Sequence, residues 1–206
     1  MTNSTARRGL AESEDAVLDA ALTCSYQLGF SKVTIDDICK ESGVSRASVY
    51  RLFPGGREVL FEALRVRELH QFFGDVLAEI EGATTVEDIV TRSVVSASIL
   101  LNADEHLAMM LSSEPGEALG QLTSAGLPRI IRMATGALSP HLEPLIGHNS
   151  AHRLIDLVVR LTVSHFLSPD DSVDLTNTAS ASQFLYPLIS SVTQNEHRFD
   201  SVAPHT

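Results

Sequence analysis

The chain contains no tryptophan, and aromatic residues make up only 5% of its 206 positions. Any core must therefore rest on Leu, Ile, Val and Ala. Cysteine occurs twice, at Cys24 and Cys39. Both fall on apolar helix faces and read as small buried hydrophobes rather than a redox switch. No run approaches the ~18 apolar residues a membrane span needs, and Met1 to Ser13 is polar, without the apolar stretch of a secretory signal. A cytoplasmic location with no membrane partner is the expectation. A Gly-x-Ser-x-Gly elbow, a phosphate-cradling glycine loop and a Cys-x-x-Cys pair are all missing, so neither catalysis nor a cofactor is expected. His148 and His152 stand four apart, a spacing that can hold a metal on one helix face. No His-Glu-x-x-His pattern accompanies them, and no metal site is expected.

Positive charge is scarce and unevenly placed. Residues 1–70 hold 9 of the 15 Lys and Arg and 10 of the 26 Asp and Glu, a net of −1, leaving −10 for residues 71–206. The acidic remainder opposes non-specific binding to nucleic acid, but it permits a locally basic face in the first third. A hydrophobic content of 44% supports a packed interior, in one large domain or two smaller ones.

Residues 34–53 carry the sharpest local pattern. Ile35, Ile38 and Cys39 have helical spacing, Thr34 suits an N-cap, and Asp36 and Asp37 suit a first turn. Gly43 suits the stop, because glycine accepts the left-handed conformation of a helix end. Ser45 then caps a second short helix. It buries Val49 with Leu52 or Phe53 and leaves Arg46, Ala47, Ser48, Tyr50 and Arg51 on or near the other face. This is a helix-turn-helix pattern. Slim Ala47 and Ser48 let a backbone approach a major groove, where Arg46 can reach a guanine edge or a phosphate. Thr34 and Tyr50 read as phosphate contacts, which fix register without reading sequence, and Ser45 belongs to the same DNA-binding set.

The run Val44 to Pro54, preceded by Thr34-Ile35-Asp36-Asp37-Ile38 and Gly43, resembles the tetracycline-repressor (TetR) family over roughly residues 13–70. Its Tyr-x-x-Phe hallmark is matched by Tyr50 and Phe53, and the basic residue opening the next helix by Arg57. Three features depart from the family pattern. Ala47-Ser48 stands where Gly-Thr is common, Ser42 where alanine is common, and Gly55-Gly56 lengthens the loop before Arg57. The resemblance implies an all-α fold of about nine helices, with a three-helix head and a helical body that binds a ligand and dimerises. It also implies a homodimer on a double-stranded DNA operator, released by a small apolar effector such as a fatty acid or acyl-CoA. The alternative is a small-molecule carrier with a vestigial helix-turn-helix.

Along the chain, residues 1–12, with Arg7 and Arg8, read as a disordered arm and 13–56 as the head. A connector helix from Arg57 opens the body, 57–194, and 195–206 reads as a tail. Thr84 and Glu87 read as a capping box. A helical stretch over about 126–146, interrupted near Pro140 and Pro144, is expected to be followed by a separate helix from Ser150 to Leu167. Methionine adapts to irregular apolar shapes, so Met109, Met110 and Met133 are candidate effector contacts with Phe72, Phe73 and Phe166. Leu100 lies on a helix apolar nearly all round, and His106 could supply a polar contact. Two late helices carry surplus apolar surface. Leu154, Val158 and Leu161 on one, with Phe184 and Leu188 on the other, suggest half of a four-helix dimer interface.

Overall fold

The computed structural model describes the backbone of residues 2–123 and 126–199, and side chains over 11–123 and 126–193. Among the described residues there are nine α-helices and no strand. They are α1 (Thr2–Leu28), α2 (Ile35–Ser42), α3 (Arg46–Leu52), α4 (Arg57–Glu79), α5 (Val86–Ala103), α6 (Glu105–Ser113), α7 (Pro115–Leu122), α8 (Leu127–Leu167) and α9 (Thr178–Phe199). A 3-10 turn over Phe30–Lys32 joins α1 to α2. No single helix among them is long and apolar enough to cross a membrane.

The chain divides into two compact units. One comprises the residues up to Leu69 together with Ala108–Ala118; the other comprises His70–Leu107 and the residues from Leu119 on. Helices α4, α6 and α7 each contribute residues to both. Within the first unit α1 packs on α2 and α3. Val17, Ala21, Ile38, Val49, Leu60 and Phe61 are all but inaccessible to solvent there. Phe61 stacks obliquely on Phe30, centroids 4.5 Å apart. Within the second unit α5, α8 and α9 pack on one another, around Ile89, Val94, Leu142, Leu154, Ile155 and Leu185. Such aliphatic interiors gain mainly from area removed from water, about 1.5–3 kcal/mol for each large side chain.

Several sequence expectations shift. The first helix begins at Thr2 rather than Ser13, so the stretch read as a disordered arm has helical backbone; its Ala, Arg, Leu and Glu residues favour that state. Helix α9 runs to Phe199, past the expected tail boundary, while Asp200–Thr206 lie outside the described residues. The cap of α5 is Thr85, whose hydroxyl accepts from Asp88 N at 3.1 Å, not Thr84. Glu87 is instead engaged by the Ser182 hydroxyl of α9 at 2.9 Å. Helix α8 continues through Pro140 and Pro144 and breaks at Ile146–Gly147, where Gly147 takes φ 69°, ψ 163°. Only glycine adopts that conformation without strain. Both cysteines are free, Cys24 buried and Cys39 half-buried, and burial pushes each thiol above its ordinary range.

Candidate nucleic-acid interface

Every turn of the α2–α3 hairpin is fixed by a short-range hydrogen bond. Thr34 Oγ1 accepts from Asp37 N at 3.2 Å and Asp37 Oδ2 accepts from Thr34 N at 3.0 Å, a reciprocal capping box. The hydroxyl and then the amide of Thr34 hold the Asp37 carboxyl below its usual range. At the other end of α2, Gly43 (φ 69°) donates to Cys39 O at 3.0 Å. Ser42, one of the departures from the family pattern, donates to Ile38 O at 2.7 Å and accepts from Val44 N at 3.2 Å. It bridges both sides of the turn, which alanine cannot do. Ser45 then accepts from Ser48 N at 3.3 Å as N-cap of α3. The Ser45 and Ser48 hydroxyls also share a 3.0 Å hydrogen bond, which consumes one of their two protons and leaves the other for an external acceptor.

Helix α3 buries Val49 completely, and Phe53 is 3% exposed. Ser45, Arg46, Ala47, Tyr50 and Arg51 are exposed, and Ser48 is half-buried. The slim, hydroxyl-bearing surface therefore stands clear of its own unit. Gly56, at φ 70°, lies against the Tyr50 ring; a Cβ there would stand 3.2 Å from Cε1. The two-glycine loop thus lets Tyr50 lie across it. Arg46 spans from α3 to α2, Nη1 to Asp36 Oδ1 at 2.5 Å, with its guanidinium 5.7 Å from the Tyr50 ring centroid. Hydrogen bonds to Tyr50 and then to Asp36 raise the affinity of Arg46 for its proton further.

Arg57 does something other than the resemblance implies. Its Nε donates to Val33 O at 2.8 Å and its Nη2 to Phe30 O, while the guanidinium lies over the Phe61 ring at 4.7 Å. The half-buried side chain is directed at the backbone just before Thr34. In the free protein Arg57 thus positions the backbone leading into α2. Arg57→Lys is expected to lower stability to chemical denaturation by about 1–3 kcal/mol, because an ammonium cannot reproduce the fork. The salt dependence of DNA binding should stay unchanged, since the positive charge is kept.

Glu114 was invisible to sequence reasoning. It lies between α6 and α7 within the first unit and accepts from Ser31 N at 3.2 Å and from the Ser31 hydroxyl. Those bonds, the hydroxyl's first, hold its carboxyl below the usual range. Glu117 pairs with Arg65 of α4 at 3.2 Å. Residues 83 and 52 positions apart are thereby joined, which no local pattern signals.

The expected effector set is divided between the two units. Met109 and Met110 belong to the first unit; Phe72, Phe73, Leu100, His106, Met133 and Phe166 belong to the second. Phe72 and Phe73 meet edge to face at 5.3 Å. Phe73 and Met110 are buried and the other six half-buried. An apolar crevice among α5 and α8, lined by Ile89, Val90, Leu138, Leu142, Leu154 and Val158, includes none of these eight. It leaves about 10 Å³ for the centre of a water-sized molecule, room for one water and no effector. Of the dimer set, Leu154 and Val158 line this crevice and are buried inside the subunit, so they are unavailable to a partner. Phe184 is 41% exposed, and Leu161 and Leu188 are half-buried. Leu157, 37% exposed, lies one turn from Leu161 and joins that face.

The capped hairpin with its outward Arg46, Ser48, Tyr50 and Arg51 defines a helix-turn-helix DNA-binding protein. Residues 17–64 match the family model described as bacterial regulatory proteins, tetR family. An uncharacterized HTH-type transcriptional regulator of Mycobacterium tuberculosis, Rv2250c, is 26% identical over 188 residues, 86% of this chain and 93% of its own. The HTH-type transcriptional regulator SrpR of Pseudomonas putida is 39% identical over 66 residues, 31% of each chain. The crystal structure of the TetR family repressor AlkX from Dietzia sp., implicated in biodegradation of n-alkanes, has the same fold. It superposes with a TM-score of 0.64 at 23% identity, over 86% of this chain and 98% of that one. The match over residues 17–64 and these relatives support a DNA-binding transcriptional regulator of the TetR family.

Proposed function

We propose that the protein is a cytoplasmic, homodimeric repressor that grips a palindromic operator and leaves it when a small apolar effector binds the helical body. The observation that carries the reading is the outward face of α3. Arg46, Tyr50 and Arg51 are exposed while Val49 and Phe53 anchor the helix from behind. Two such heads, with centres about one helical turn (~34 Å) apart, would enter successive major grooves on one side of the duplex. Exposed Leu157 and Phe184, each one turn from the half-buried Leu161 and Leu188 on the packed pair α8 and α9, support a twofold interface. The effector's route to the head runs through more than the connector helix expected from sequence. Helices α4, α6 and α7 all carry residues of both units, and Ser31–Glu114 and Arg65–Glu117 tie the α6–α7 segment to the turn before α2 and to α4. An effector acts only through different affinities for the two head spacings.

The test is fluorescence anisotropy with duplex DNA from upstream of the protein's own gene. With about eight phosphates contacted, log K should fall against log salt with a slope near −7. A clean dimer that binds no duplex even at low salt would overturn the reading in favour of a carrier with a vestigial helix-turn-helix.

A further inference from the structure

The break in α8 assembles a cluster that the linear sequence hides. On an unbroken helix Glu143 and His152, nine residues apart, would lie on opposite faces and be separated by about 13.5 Å along the axis. Here Glu143 Oε1 is 3.1 Å from His152 Nε2 and 3.0 Å from His148 Nδ1. The cause is the non-helical pair Ile146–Gly147, which redirects the chain between the carboxylate and the two histidines. The imidazoles, one turn apart, lie with centroids 4.0 Å apart and planes tilted by 43°. All three ligand-type atoms lie within 4.8 Å of one another.

We propose that Glu143, His148 and His152 form a binding site for a first-row divalent cation of the zinc type, built across the α8 kink. Two ligand atoms each ~2.0–2.2 Å from a zinc ion stand about 3.4 Å apart at the tetrahedral angle, so the two carboxylate–imidazole separations need only a small outward adjustment. The donor set is two imidazole nitrogens and one carboxylate oxygen, which suits Zn(II), Co(II) or Ni(II) and not the oxygen-seeking Mg(II) or Ca(II). Burial pushes the Glu143 carboxyl up and the hydrogen bonds from the two histidines outweigh it, leaving it below the usual range; the oxygen is therefore ionised at neutral pH. Glu143 and His152 are half-buried and His148 is exposed. A cation can thus enter from solvent and keep water in its remaining position, the arrangement of a three-ligand open site. A bound ion would replace the shared hydrogen bonds with three coordinate bonds and fix the angle between the two arms of α8. The cluster lies wholly within the second unit, so the proposal is independent of DNA binding.

The experiment is calorimetric titration of chelator-treated full-length protein with ZnCl₂. The Co(II) visible spectrum gives the coordination, and MgCl₂ is the control. One equivalent of Zn(II) per chain is expected, with an intense tetrahedral Co(II) band and no heat from Mg(II). Since changing even an outer partner of a metal ligand costs about 10–100-fold, Glu143→Gln, His148→Ala and His152→Ala should each weaken Zn(II) binding about tenfold or more. Circular dichroism of these surface variants checks that the helices persist. Absence of Zn(II) binding, or binding unchanged in the His148→Ala/His152→Ala double variant, overturns the proposal. The second result would assign the metal to other histidines of the chain.

Discussion

A chain carrying Leu157→Asp and Phe184→Asp is expected to sediment as a monomer and to lose operator affinity about 10²–10⁴-fold. Both positions are exposed apolar residues in the subunit, 37% and 41% accessible, so a carboxylate there meets water and costs the monomer's fold little. In a dimer the same carboxylates would face the apolar surface of the twofold-related subunit. Desolvating an unpaired charge costs several kcal/mol, and the twofold relation places four such charges in one interface. The affinity loss follows from valency. Once one head is bound, the second binds as an intramolecular event at high effective concentration, and that advantage disappears with the interface. A single head has a net charge of −1 over residues 1–70 and no long basic stripe to compensate. The salt slope should fall to about half its parent value, because about half the phosphates are neutralised. Sedimentation velocity and anisotropy on the same samples decide the matter. A variant that remains dimeric, or a monomer that binds as tightly as the parent, would remove α8 and α9 as the pairing surface. Leu154→Asp makes the contrasting control. Leu154 is fully buried, so that substitution should destabilise the subunit itself.

The hairpin was legible in the sequence because what holds it is local. Thr34 with Asp37, Ser42 with Val44, Gly43 with Cys39 and Ser45 with Ser48 all close within four residues, the range in which capping and turn chemistry operate. What was illegible depends on chain segments far apart. Arg57 has the identity and position of a phosphate contact, yet the carbonyls of Phe30 and Val33 claim it across 27 and 24 residues. Helices α4, α6 and α7 pass from one unit to the other, so Met109 and Met110 fall in one and Phe72 and Phe73 in the other, and periodicity carries no information about that. The late helices illustrate a subtler failure. Their apolar surplus was visible, but a surplus on more than half a helix does not say which stripe meets its own subunit. Leu154 and Val158 turned inward, and Leu157, not singled out beforehand, stayed outside. The α8 break falls at Ile146–Gly147, where the stretch over 126–146 was expected to end, while Pro140 and Pro144 do not interrupt the helix. A proline removes one hydrogen bond and bends a helix, whereas the positive φ of Gly147 breaks the helical path and kinks it.

Arg46→Ala is expected to cut operator affinity by about 10–100-fold per head, and so about 10²–10⁴-fold for the dimer, while binding to random duplex falls far less. A guanidinium that donates bidentately to a guanine edge carries discrimination of that size, and a phosphate clamp would lower both affinities equally. The free protein adds a complication that makes the experiment sharper. Arg46 is held by Asp36 at 2.5 Å and lies near the Tyr50 ring, so it must exchange a carboxylate for a base before it can read one. Asp36 is itself exposed and carries a negative charge close to where phosphates would run. Asp36→Asn should therefore raise affinity a few-fold on operator and random DNA alike through charge, and raise operator affinity further by releasing Arg46. The two contributions separate in a double-mutant cycle. In the Arg46→Ala background, Asp36→Asn should retain only the charge effect, equal on both duplexes. If the gain is identical with and without Arg46, the ion pair is an incidental surface contact that DNA binding never has to break. If operator affinity instead falls in Asp36→Asn alone, Asp36 aims Arg46 toward its base rather than withholding it. Anisotropy on two duplexes at one salt concentration, across four proteins, distinguishes these outcomes.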